Sequence, residues 1–98
     1  MEQMNIAEEL KVTLNYEAKD LSRPVRELRP VLFKDGPGYS CLLGPDLDTG
    51  IIGSGNTPAK ALQDWERSLY QRIDRPTEDD ATAQYAKDQL SVSKNDVG

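Results

Sequence analysis

The stretch VLFKDGPGYSCLLGPDLDTGIIGSGNTPAKALQDWERSLYQRI, residues 31–73, decides the fold of this 98-residue chain. Two apolar runs, 31–34 and 39–43, flank Asp35-Gly36-Pro37-Gly38, a connection whose glycines supply the positive φ that tight hairpins require. Gly44 to Gly50 then form a loop, and Ile51 and Ile52 give a short third strand ahead of Gly53-Ser54-Gly55-Asn56. Thr57 is an N-cap, Pro58 suits the first helical position, and Pro76 sets a limit beyond which the helix should not continue. Between them Ala61, Leu62, Trp65, Leu69 and Ile73 recur at helical spacing and form one apolar stripe. Trp65 is therefore expected in the core, with Tyr70 off the centre of the stripe.

Working outward, Leu10, Val12, Leu14, Tyr16 and Ala18 alternate with Lys11, Thr13, Asn15 and Glu17, and this period of two predicts a further strand over 10–18. Residues 19–30 contain Pro24 and Pro30 and read as a connecting loop. Arg23, Arg26 and Arg29 recur within it, but Glu27 sits among them and the prolines deny them a long helix, so a solvated loop is expected. Beyond the main helix, Thr77, Glu78, Asp79 and Asp80 resemble a helix start, and Ala81, Tyr85 and Leu90 allow a short helix there. The expected fold is α+β, with a small antiparallel sheet of three to four strands packed by one main helix (β-β-β-β-α). The expected organisation is a flexible N-terminus at 1–9, a single domain at 10–76, and an acidic polar tail at 77–98.

Charge separates the ends from the centre. Residues 1–22 hold five acids against two bases and residues 74–98 six against three, so each end is net negative within a total of −5. Without a basic stripe the chain lacks the means to neutralise phosphates, and direct nucleic-acid binding is not expected. A basic protein partner fits better, because complementary potentials accelerate encounter. The single cysteine, Cys41, rules out an intramolecular disulfide and points to a reducing, cytoplasmic setting. No apolar segment reaches the roughly 20 residues that span a bilayer, so no membrane association is expected.

Catalytic chemistry has little to work with. The chain has no histidine, which removes the commonest general base and the commonest neutral metal ligand. Cys41 lies in an alternating run that predicts a buried, inert thiol. Asp46 and Asp48 are too few carboxylates for a cation site and are expected to stabilise their turn. Gly53-Ser54-Gly55 before a helix is reminiscent of a phosphate loop, yet Pro58 stands where a third glycine would and no Walker lysine follows. The expectation is no catalytic residue, no metal and no cofactor.

Gly38-Tyr39, Gly44-Pro45-Asp46-Leu47, Gly50, Gly55-Asn56-Thr57-Pro58 and Ala61-Leu62 together resemble the N-terminal domain of HicB-type antitoxins. The resemblance covers about residues 29–73. It implies a degenerate RNase H-like fold that binds and blocks a small HicA-type, mRNA-cleaving toxin. The expected function is thus a non-catalytic inhibitor of a nucleic-acid-processing enzyme. A phage or mobile-element inhibitor of a host nuclease or defence complex is the alternative, and a small dimerising structural module the lesser one, so a homodimer is also open. Leu47, Asp48, Tyr70, Tyr85 and Leu90 are the candidate partner-binding residues, chosen for expected exposure near apolar character.

Overall fold

The computed structural model describes residues 4–19, 21–74 and 80–97, with the backbone alone for 91–97. Its elements are a short helix α1 (Arg23–Leu28), strands β1 (Val31–Asp35), β2 (Gly38–Leu43) and β3 (Ile51–Gly55), the main helix α2 (Pro58–Asp74) and a C-terminal helix α3 (Ala81–Val97). The strands form one antiparallel meander in the order β1-β2-β3. This is the α+β arrangement that the sequence predicts, with three strands, a main helix against them and a C-terminal helix.

The β1–β2 hairpin closes on Asp35↔Gly38, which leaves Gly36 and Pro37 as its turn, and Gly36 takes φ +59°. In the register, Leu32, Cys41, Leu43 and Ile51 share the face that meets Trp65, Leu69 and Ala61 of α2. Ser40 and Leu42 point to the other face and are also buried. That second face is roofed by the N-terminal segment: Ile6, Phe33 and Leu42 form a separate small core, joined by Met4 and Val31. The Met4 N–H donates to the Gly44 carbonyl at 2.9 Å and anchors this roof.

α2 begins as its cap predicts, with the Lys60 N–H donating to Thr57 Oγ1 at 3.2 Å and the Ala61 N–H to the Thr57 carbonyl at 3.0 Å. The helix lies on β3 with no space between the two backbones. A side-chain carbon built at Gly53 would stand 2.0 Å from the Trp65 nitrogen, and one at Gly55 would stand 2.6 Å from Lys60 Cβ. The two glycines therefore belong to β3, which continues through them, and they serve close helix-on-strand approach. Trp65 is fully buried beneath this contact, with its indole N–H lacking an acceptor among the described residues.

The predicted strand over 10–18 is not formed. One bridge, Lys11↔Phe33, and one hydrogen bond, Val12 N–H to the Leu32 carbonyl at 2.8 Å, tie this segment to β1. Thereafter it leaves the sheet and turns, with the Ala18 N–H donating to the Asn15 carbonyl. The alternation in the sequence is nonetheless real in the burial: Val12, Leu14 and Tyr16 lean on the main core while Lys11, Thr13, Asn15 and Glu17 are exposed. An extended segment that lies over a rim makes the same pattern as a paired strand, because period two follows from extended backbone and not from a ladder. The Tyr16 hydroxyl donates to the Pro30 carbonyl at 2.6 Å and holds the segment in place.

The loop predicted over 19–30 contains α1, a helix kept to six residues, with Pro24 in its first turn and Arg29 in the left-handed region (φ 51°) just past its end. The predicted helix start at Thr77 lies outside the described residues. Asp80 is the residue that caps α3: its Oδ1 accepts the Ala83 N–H at 3.0 Å and its carbonyl accepts the Gln84 N–H at 3.1 Å.

The Gly53 contact gives a direct test. Gly53→Ala should destabilise the fold by about 3 kcal/mol or more, since the added methyl meets backbone that cannot yield. Urea denaturation of Gly53→Ala beside Ser54→Ala, whose residue is exposed, will measure the difference. Equal midpoints would show that α2 can lift from β3 at little cost.

Candidate functional site: a braced loop between strand and helix

Residues 44–50 join β2 to β3, and their sequence makes a closed turn. Asp46 Oδ1 accepts the Thr49 N–H at 2.8 Å and the Thr49 hydroxyl at 3.0 Å, while the Gly50 N–H donates to the Asp46 carbonyl at 3.0 Å. The Thr49 N–H first, and then its hydroxyl, hold the Asp46 carboxyl below the ordinary aspartate value.

Arg72, near the end of α2, braces the loop from the helix side. Its Nη1 donates to the Gly50 carbonyl at 2.9 Å and its Nη2 to the Thr49 carbonyl at 3.0 Å. The same guanidinium grips Asp80, with Nε on Oδ2 at 2.6 Å and Nη2 on Oδ1. This is the two-pronged geometry that arginine offers and lysine cannot. The Arg72 bond lowers the pKa of Asp80, with the Ala83 N–H adding to it, against an opposing effect of burial. Since Asp80 also caps α3, one carboxylate ties loop, main helix and C-terminal helix together. At the other end of the loop, a side chain at Gly44 would meet the Gly50 backbone and come within 3.5 Å of Thr82 Oγ1 of α3.

At the tip of this fixed turn stand two of the candidate residues. Leu47 is 54% exposed, the highest value among the large apolar side chains of the described residues, and Asp48 beside it is also exposed. Tyr70 is 45% exposed on α2. Burial, and next the nearby charge of Glu66, raise its pKa, while Arg23 acts in the opposite sense. Leu90 approaches the same region, because its carbonyl accepts Arg23 Nη2 at 2.7 Å. Leu90 and Tyr85 are half-buried and lean on the main core, so both help to seat α3. The structure thus joins Leu47 with Asp48, brings Tyr70 and Leu90 to Arg23, and sets Tyr85 apart. Arg23 and Arg26 of α1 and Arg29 just past its end diverge as well: Arg23 reaches α3, Arg26 is exposed, and Arg29 stacks 5.8 Å from the centre of the Tyr16 ring.

β3 is one of the two edge strands of the sheet, and α2 also guards it. The Ser54 N–H donates to Asp64 Oδ2 at 2.9 Å, so Ser54 faces outward in the ladder, and by alternation so do Ile52 and Gly50. Asp64 takes the Ser54 donor and Arg72 the Gly50 acceptor. Between them Ile52, 38% exposed, lies on the part of this edge that α2 leaves open. A second copy would find little of this strand free to pair with. Ser54's N–H first, and Arg67 with it, keep the Asp64 pKa low against the opposing effect of burial.

Cys41 is buried, and burial pushes its thiol far above the ordinary value. Among the described residues no group of three or more His, Cys, Asp or Glu side chains could hold a metal ion. Among them, too, no helix is long and apolar enough to cross a membrane. Set against protein-family models, curated proteins and solved structures, the chain gives no match.

The roles of Arg72, Asp80 and Asp64 are absent from the sequence reading, because each acts on backbone groups or partners brought near by folding. A faint signal exists in Asp80, an acid directly ahead of Ala81 in a helix-forming run.

Two measurements test this account. Asp46 and Asp80 have folded pKa values below the ordinary 3.8, so they contribute stability above that pH and lose it as pH falls through their folded values. Urea midpoints taken from about pH 5 to pH 2 should therefore drop less in Asp80→Asn than in the parent chain. Asp64→Ala should free the Ser54 N–H and increase self-association, read by light scattering over a concentration series. Unchanged scattering would mean that the carboxylate does not guard the edge.

Proposed function

We propose that this chain is a non-catalytic protein inhibitor that docks its 44–50 loop on a basic, nucleic-acid-processing enzyme and covers that enzyme's active surface. The observation that carries the reading is Leu47, a large apolar side chain held out from a turn whose backbone is fixed by Asp46 and Arg72. An apolar anchor on a rigid support loses little entropy on docking, which is how a small contact becomes a strong one. Asp48 beside it and the net charge of −5 favour a positively charged surface, such as the substrate groove of a nuclease. The HicB-like pattern supports the same class of partner, a HicA-type toxin, and agrees with a chain that contains no histidine.

The test begins with capture of the enzyme from the native host on immobilised chain, followed by its cleavage of labelled RNA and DNA with and without the purified chain. Cleavage should fall as the chain is added. Leu47→Asp should weaken binding by at least about tenfold while leaving the thermal midpoint near that of the parent chain. Failure to recover any nucleic-acid-cleaving enzyme, or full inhibition by Leu47→Asp, would remove this reading.

A further inference from the structure

On the flank of α2 opposite Asp64, a cleft of about 320 Å³ opens between the start of α1 and the first half of α2. Its apolar walls are Leu21, Val25 and Leu62, which continue into the main core. Three polar residues, Ser22, Gln63 and Glu66, break this apolar lining. Ser22 holds the N-cap position of α1, where a serine oxygen ordinarily accepts an N–H of the first turn, yet it makes no such bond. Its Oγ is buried, with no hydrogen-bond partner among the described residues. Glu66, at the side of the cleft, has no ion-pair partner among the described residues, and one turn further along α2 stands the exposed ring of Tyr70.

A ligand matched to this lining has an apolar body for the walls and a cation for Glu66. A lysine or arginine beside a large apolar residue in an extended segment supplies both. The volume lies at the lower end of the range for ligand sites, which suits one large side chain and not a folded element. A cationic segment is also the one that a chain of net charge −5 attracts. We propose that this cleft receives a single apolar side chain from a basic segment of the partner protein, with a neighbouring lysine or arginine paired to Glu66. The proposal rests on the reading that the partner is a basic protein, and it assigns that partner a second point of contact apart from the Leu47 loop.

The isotope-labelled full chain would be titrated with three capped pentapeptides, Gly-Lys-Phe-Lys-Gly, Gly-Glu-Phe-Glu-Gly and Gly-Lys-Ser-Lys-Gly, and followed by amide chemical shifts. The first peptide should shift the amides of Leu21, Ser22, Val25 and Leu62 saturably. The acidic peptide should bind about fivefold more weakly, and the serine peptide should lose the shifts. Glu66→Lys should invert the order of the lysine and glutamate peptides, and Glu66→Gln, which keeps the shape, should abolish the preference. Equal binding of all three peptides, shifts that map away from the cleft, or an order unchanged in both variants would overturn the proposal. So would movement of the same amides with protein concentration alone, which would assign the cleft to a second copy. A cleft that takes the peptides in a chain that inhibits no enzyme would remove the proposed function and leave the site; inhibition by a chain whose cleft ignores them would do the reverse.

Discussion

The contact on which the rest of this structure depends is the approach of α2 to β3 at Gly53. With the Trp65 backbone filling the place of a side chain at that position, the helix has one allowed height and one allowed register on the sheet. Everything useful that α2 does follows from that register. Asp64, one residue before the contact, falls beside the Ser54 amide, and Arg72, two turns after it, falls beside the Thr49 and Gly50 carbonyls. One helix thereby finishes both ends of an edge strand and fixes the loop that leads into it.

The sheet is covered on both sides by different means. α2 supplies a wide apolar stripe to one face, while the other is roofed by Ile6 and Met4 from an N-terminal segment with little regular structure. This explains why β2 is buried on both faces although the chain is short and polar: Leu42 and Ser40 meet the roof, and Cys41 and Leu43 meet the helix. Ser40 offsets its burial by donating its hydroxyl to Asp35 at 2.9 Å.

What could be read in advance is what local chemistry specifies. The Gly36-Pro37 turn, the Thr57 cap and the spacing of Ala61, Trp65 and Leu69 each act within a few residues, and each appears where its pattern places it. The segment at 10–18 misled because alternation reports burial and extension but says nothing of pairing, and here the burial is made on a rim. Gly53 and Gly55 kept their true role hidden for a related reason: a glycine needed for a turn and one needed for close packing are the same letter. The candidate site divides in the same way. Leu47 and Asp48 were legible as an apolar and an acidic residue in a turn, whereas the arginine that makes their turn rigid lies more than twenty residues away, and the half-burial of Tyr85 and Leu90 depends on where α3 docks.

The shared carboxylate of Asp80 has one more consequence. Because it caps α3 and grips the arginine that braces the loop, the order of the loop and the docking of α3 draw on a common set of bonds. Two events that share bonds have a coupling free energy, and such coupling acts equally in both directions. A change that tightens the loop is therefore linked to the docking of α3 through one carboxylate, and a change in α3 is linked to the loop in the same measure.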